Sequence, residues 1–194
     1  MKERQDKILT VLPAYNEEKH LKQVLEQVLE QTPDVLVVND GSKDRTADIA
    51  RECGVMLITR ENNLGKGASL KEAFNRALEL GYDAVIMLDA DGQHDPACIP
   101  EFVEKFHETR APLIIGCRNY EEMPFRRRIP NLIGKALFST AVGQEIPDNQ
   151  SGYRLLDRVM MNRMLASNER GYHFEVVNLF SWLIHYLNQI YLYI

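Results

Sequence analysis

Apolar residues fall into short runs separated by stretches of helical spacing. Ile8 to Leu12 is the first run, closed by Pro13. Leu21, Val24, Leu25, Val28 and Leu29 then recur as one apolar stripe, the mark of an amphipathic helix. Val35 to Val38 reads as a second strand, with Asn39-Asp40-Gly41-Ser42 as its exit turn. Ser42 or Asp44 can cap the following helix, which carries Ala47, Ile49 and Ala50. Val55 to Ile58 predicts a third strand, and Gly65-Lys66-Gly67 leads into a helix over Ala68 to Leu80. Ala84 to Leu88 is five apolar residues in a row, the pattern of a strand buried on both faces. A helix over Ile99 to His107 and a fifth strand over Leu113 to Cys117 follow. This alternation predicts an α/β fold, a mostly parallel sheet with helices on both faces.

After Cys117 the pattern changes. Arg118 to Arg128 is a polar, basic loop, Ile129 to Val142 reads as a helix, and Asp148 to Arg154 is rich in turn residues. Met160, Met161 and Met164 read as core filling. Glu175 opens a last helix, and no Asp, Glu, Lys or Arg occurs from Val176 to Ile194. A spanning helix needs about 20 mostly apolar residues, and Asn178, Ser181, His185, Asn188 and Gln189 interrupt this stretch. A core helix followed by a short strand is expected, with membrane-surface contact as the alternative. No linker divides the chain, so residues 1–194 are read as a single domain.

Composition narrows the classes. A chain of 194 residues can bury a substantial core, and a formal net charge of -5 argues against a general nucleic-acid binder. The three cysteines, Cys53, Cys98 and Cys117, lack metal-ligand spacing. Their odd number and a charged start without an apolar stretch point to reduced thiols in the cytoplasm. His94 and His107 have no ligand-like spacing, and neither is given a metal role.

The most informative chemistry is Asp89-Ala90-Asp91-Gly92-Gln93, which follows the fourth strand. Ligands collect at the carboxyl ends of strands in open α/β sheets. Residues two apart in an extended segment point the same way, so Asp89 and Asp91 can face one ligand. Two such carboxylates call for a positive partner, and Mg²⁺ or Mn²⁺ carrying phosphates is the natural one. Tyr15 can cover a base and Glu17 can accept from a base or ribose hydroxyl, although Asn16-Glu17-Glu18 would also serve as a helix start. Asp40 falls on the same sheet edge, where its carboxylate can accept a ring N–H of uracil or guanine. Gly65-Lys66-Gly67 departs from the phosphate-loop pattern, and no GxGxxG follows the first strand. Lys66 at a helix start can still meet a phosphate.

Taken in order, Pro-Ala-Tyr-Asn-Glu at 13–17, Asn-Asp-Gly-Ser at 39–42, Asn-Leu-Gly-Lys-Gly at 63–67 and Asp-Ala-Asp-Gly-Gln at 89–93 resemble glycosyltransferase family 2. Within it the chain is similar to the polyprenyl-phosphate sugar transferases. The resemblance runs from Ile8 to about Glu175. It implies the A-type glycosyltransferase fold, with residues 8–117 as the nucleotide-sugar half and 118–194 as the acceptor side. It implies that Pro13, Tyr15, Glu17 and Asp40 hold the nucleoside of a GDP- or UDP-linked sugar. Asp89 and Asp91 would handle ribose, diphosphate and Mg²⁺ or Mn²⁺, with Gln93 completing the metal's coordination. Arg118, Arg127 and Asn131 occupy positions where that branch binds acceptor phosphate, and many members have Ser where Asn131 stands. Asp148, Gln150, Gly152 and Arg154 match its later motif, and Arg154 is counted with the acceptor residues. The chain stops near where members continue, sometimes into membrane helices.

The expected reaction is inverting transfer of a sugar to polyprenyl monophosphate, at the cytoplasmic face of a membrane. A dianionic phosphate needs arginines to position it more than it needs a base. The cluster Arg126-Arg127-Arg128 suits phosphate oxygens or an anionic bilayer, although charge runs are usually solvated surface. Two further readings stay open: transfer to a saccharide hydroxyl, with Asp148 as base, and a non-catalytic nucleotide-sugar-binding module. Asp89-Ala90-Asp91-Gly92 also resembles the motif of haloacid-dehalogenase-type phosphatases, but that motif usually opens a chain and here three strands precede it.

Overall fold

A computed structural model describes residues 6–117, 151–167 and 190–193. Its first part follows a strict alternation: β1 (Ile8–Ala14), α1 (Leu21–Gln31), β2 (Val35–Asn39), α2 (Thr46–Glu52), β3 (Met56–Thr59), α3 (Lys66–Glu79) and β4 (Ala84–Met87). A short 3₁₀ turn at Pro96–Cys98 leads into α4 (Ile99–Thr109), then β5 (Leu113–Cys117), β6 (Arg154–Asp157), α5 (Arg158–Ala166) and β7 (Ile190–Tyr193). Among the described residues these strands form one seven-stranded sheet in the order β3-β2-β1-β4-β6-β5-β7.

Strands β1 to β4 run parallel, with Val11 opposite Leu36 on one side and Met87 on the other. Side chains on these strands alternate between two buried faces. Leu9, Val11, Leu36, Val38, Val85 and Met87 pack with Leu70 and Phe74 of α3 and with Met160, Met161 and Met164 of α5. Leu12, Val35, Val37, Ala84 and Ile86 face α1, α2 and α4. The methionines fill the core, as expected. In α1 the buried stripe is Leu21, Val24, Leu25 and Val28, whereas Leu29 lies at its margin and is exposed.

β6 departs from the expected pattern. It lies between β4 and β5 and runs antiparallel to both, with Met87 opposite Arg154. Arg154 had read as the end of a turn-rich stretch and Leu155 to Asp157 were given no element, because a strand that starts with Arg and ends with Asp has no apolar run to announce it. The reversal matters for the site. The start of β6 meets the carboxyl ends of β1, β2, β3 and β4, so Ser151, Gly152 and Tyr153 reach the same edge as Asp40 and Asp89. The short terminal strand expected near the chain's end is present as β7, parallel to β5. The helices expected over 129–142 and from Glu175 lie outside the described residues.

β6 passes directly into α5 through Asp157. Its carboxylate accepts the Met160 N–H at 2.7 Å, capping the helix, and its own N–H donates to the Pro112 carbonyl. Asp157→Ala should therefore cost about 1 kcal/mol and lower the thermal midpoint by about 2–4 °C. Thermal unfolding followed by circular dichroism checks this; an unchanged midpoint would show that the cap contributes nothing.

Candidate functional site

Two strand-exit loops are laced together by their own polar side chains. Asn16 takes a left-handed conformation, φ 57°, which Asn tolerates better than most residues. Its N–H donates to Ser42 Oγ at 2.9 Å, and its side-chain oxygen accepts from the Lys43 N–H at 2.9 Å. The Glu17 N–H donates to Thr46 Oγ1 at 2.8 Å, while Glu18 and the loop before α2 bond each other through Glu18 N–H to Asp44 and Arg45 N–H to Glu18. Asn16 is thus a cross-loop tie rather than a helix cap, since α1 begins only at Leu21. Asp44, one of the two expected caps, accepts the Thr46 N–H at 3.0 Å; Ser42 is used by Asn16 instead.

Asp40 anchors a third loop. It is 3% exposed. Its Oδ1 accepts from Arg60 Nη1 at 3.1 Å and the Leu64 N–H at 3.0 Å, and its Oδ2 accepts from the Gly65 N–H at 2.7 Å. Arg60 also binds Glu72 at 2.6 Å, the Ala68 carbonyl at 2.7 Å and Ser69 Oγ at 3.3 Å. The loop over 60–65 is therefore pulled down onto the end of β2. Gly41 makes the approach possible: with φ 75°, a Cβ there would lie 2.6 Å from the Asn62 carbonyl carbon.

This geometry sets Gly65 and Lys66 at the start of α3, facing the end of β4. Lys66 Nζ lies 2.6 Å from Asp89 Oδ1. His94 Nε2 lies 3.5 Å from Asp89 Oδ2, and its side chain is 8% exposed. Burial alone would raise the Asp89 pKa, but the His94 hydrogen bond and the Lys66 ammonium outweigh it and hold the carboxyl well below the usual carboxylate range. Behind it His94 leans on Tyr153, ring centres 5.2 Å apart, and Tyr153 packs on Phe102 at 4.5 Å. His94 was not singled out by spacing. The turn at Gly92, φ 77°, brings it back toward Asp89, and no pattern along the chain signals such a contact.

Asp91 stands two residues on, with Oδ1 accepting the Gln93 N–H at 3.0 Å, and the Gln93 side chain is exposed. Pro13, Tyr15, Glu17, Asp40, Asn63 and Lys66 border a cavity of about 190 Å³ at this edge. The structure thus brings together Pro13, Tyr15, Glu17, Asp40 and Lys66, and joins Lys66 to Asp89. Arg154 is different. It was grouped with the acceptor residues, yet it is 3% exposed and sits at the start of β6, alternating with Leu155 and hence on the side of α3 and α5. Arg118, Arg127, Asn131, Asp148 and Gln150 lie outside the described residues. A roomier cavity, about 960 Å³, lies at the opposite edge of the sheet beside Thr32, Ile99 and His107, and among the described residues none of the expected site residues borders it.

Residues 10–165 match the model of glycosyl transferase family 2, and the chain belongs to that family. A Micrococcus luteus undecaprenyl-phosphate mannosyltransferase is 31% identical over 184 residues, covering 88% of this chain and 75% of that protein. A Methanococcus voltae UDP-N-acetylglucosamine–dolichyl-phosphate N-acetylglucosaminyltransferase is 28% identical over 191 residues, covering 87% of this chain and 76% of its relative. An uncharacterized Methanocaldococcus jannaschii protein is 37% identical over 142 residues; the match takes in 70% of this chain and 62% of that one. Among solved structures, Mycobacterium tuberculosis glucosyl-3-phosphoglycerate synthase with Mn²⁺, UDP-glucose and phosphoglyceric acid superposes with a TM-score of 0.79 at 21% identity, covering 97% of this chain and 71% of the other. The fold is the A-type glycosyltransferase fold.

Gly152 tests how tightly the site is built. A Cβ there would fall 2.6 Å from Asp89 Oδ2 and 3.2 Å from Lys66 Nζ. Gly152→Ala should force the Asp89 carboxylate out of its place between Lys66 and His94. Nucleotide affinity measured by calorimetry should fall at least about tenfold, with the far-ultraviolet spectrum unchanged. Wild-type affinity would mean that the Asp89 position is immaterial to binding.

Proposed function

We propose that this chain is an inverting transferase that moves a sugar from a nucleoside-diphosphate sugar to polyprenyl monophosphate, with Mg²⁺ or Mn²⁺, at the cytoplasmic face of a membrane. The observation that carries the reading is Asp89. It is an ionised carboxylate at a strand end, gripped by Lys66, two residues before Asp91 and beside the cavity that Tyr15 and Asp40 border. Such an edge, with a helix N-terminus and a lysine pointing into it, suits a diphosphate. Relatives named for undecaprenyl- and dolichyl-phosphate acceptors support the lipid phosphate as acceptor class.

The donor set fits a hard cation. Asp91 and the Gln93 amide would offer oxygen atoms to such an ion from one turn, with Asp89 adjoining them. Among the described residues no group of three or more His, Cys, Asp or Glu stands ready to hold an ion. Mg²⁺ is commonly held by one or two carboxylates together with substrate phosphates, so this sparse set matches an ion that arrives with a diphosphate. When bound, the ion supplies charge neutralisation at the leaving diphosphate. Lys66 adds positive charge at the same place, and Tyr15, 45% exposed, can cover the base. On the acceptor side, Arg118, Arg127 and Asn131 are assigned to phosphate, where guanidinium forks pair with its oxygens. Among the described residues no helix is long and apolar enough to cross a membrane.

Asp91→Asn should abolish transfer and remove the extra thermal stability that metal adds to the nucleotide complex. Unfolding midpoints with nucleoside diphosphate, with and without Mn²⁺, measure this by linkage. An unchanged metal-dependent shift would take Asp91 out of the site.

Arg118→Ala and Arg127→Ala should each lower transfer to a short-chain polyprenyl phosphate by roughly one to two orders of magnitude, the worth of a charged hydrogen bond. Donor binding should stay normal, and lysine should restore activity only in part. Full activity of both alanine variants on that soluble acceptor would leave the arginines as surface charge and move a saccharide hydroxyl ahead as acceptor.

A further inference from the structure

The hydrogen bonds around Asp40 bear on which base the donor carries, an inference that rests on the nucleotide-sugar site proposed above. A carboxylate offers about four acceptor positions. Three on Asp40 are taken by the protein itself: Arg60 and the Leu64 N–H on Oδ1, and the Gly65 N–H on Oδ2. These donors cannot step aside. The Leu64 and Gly65 N–H groups belong to the loop backbone held against Gly41, and Arg60 is locked by Glu72, Ser69 and the Ala68 carbonyl. Asp40 therefore has one acceptor position left for a ligand.

Asn63 adds a neighbouring donor. Its side-chain oxygen accepts the Gly65 N–H at 2.9 Å, which leaves its NH₂ group as what it offers to the cavity it borders. The cavity lining thus includes one open acceptor position on Asp40 and a donor on Asn63. An imide pyrimidine, uracil or thymine, shows a single ring N–H between two carbonyls and matches that edge. Guanine shows two adjacent donors, N1–H and the exocyclic N2–H₂, and a carboxylate reads them by accepting on both oxygens at once. With Oδ1 filled, one of guanine's two donors would go without the carboxylate oxygen that pairs with it, and the bidentate contact would be lost. Cytosine and adenine present a ring acceptor to the carboxylate and are repelled. We infer that the donor is an imide-pyrimidine nucleotide sugar, and that the protein rejects guanine by having already spent Asp40 Oδ1 on its own loop.

The test is a calorimetric titration of the intact chain, in Mn²⁺, with UDP, dTDP, CDP, GDP and IDP. UDP and dTDP carry the same imide edge and differ at the ribose 2′-hydroxyl and the C5-methyl, so their ratio separates the two pyrimidine sources. IDP is the decisive ligand, because hypoxanthine has guanine's two rings but lacks the exocyclic amine. UDP should bind at least about tenfold tighter than GDP, and IDP should also bind about tenfold tighter than GDP despite equal size. N3-methyl-UDP should lose the advantage of UDP. GDP binding as tightly as IDP overturns the inference, because the extra donor would then have found an acceptor, Glu17 being the other carboxylate at the cavity. Equal affinity for all the diphosphates also overturns it while leaving the transferase reading intact. Binding of none removes the nucleotide site itself, and the inference with it.

Discussion

Asp40 is the point at which three separate strand ends become one surface. Its two oxygens draw the Leu64 and Gly65 amides and the Arg60 guanidinium toward the end of β2, and the start of α3 follows. Once Gly65 is fixed, Lys66 is delivered to Asp89 across the edge of the sheet. A buried carboxylate with such donors is stable only while all are present, since losing one leaves charge uncompensated in a poorly solvated place. The donor-side geometry therefore depends on one residue that a sequence reader would assign wholly to the ligand.

The sheet and the acids were legible along the chain because both obey local rules. Apolar runs bounded by turn residues marked β1 to β5, and strand ends in a parallel sheet are where ligands gather. Thus Tyr15, Asp40 and Asp89 could be placed on one edge from their positions alone. Three features were not legible, for physical reasons. β6 carries a buried arginine and a capping aspartate within four residues, so its hydrophobic signature is nearly erased. The His94–Asp89 contact depends on a positive-φ glycine turn rather than on spacing. The structural use of Asp40 depends on a loop folding back from the far end of β3.

The polar residues of the first two loops show how a motif can be structural and functional together. Asn16, Ser42, Asp44 and Thr46 spend their side chains on backbone groups of the neighbouring loop. What remains bordering the cavity from these two segments is Pro13, Ala14, Tyr15, Glu17 and Asp40. The short Pro-Ala-Tyr-Asn-Glu and Asn-Asp-Gly-Ser segments are thus each half scaffold and half contact, which accounts for their weak individual signal and their strong joint one.

The antiparallel β6 has a consequence for the order in which the site is assembled. The contacts of Asp40 join loops of neighbouring strands across 20 to 25 residues of chain. Gly152 reaches Asp89 only after β6 has paired with β4 across a long intervening stretch, and loop-closure entropy makes such non-local contacts slow. The contacts of Asp40 and the wall behind Asp89 therefore differ in how far along the chain their partners lie. A molecule in which β6 had not yet paired would carry the joined loops around Asp40 beside an Asp89 carboxylate still lacking its far wall.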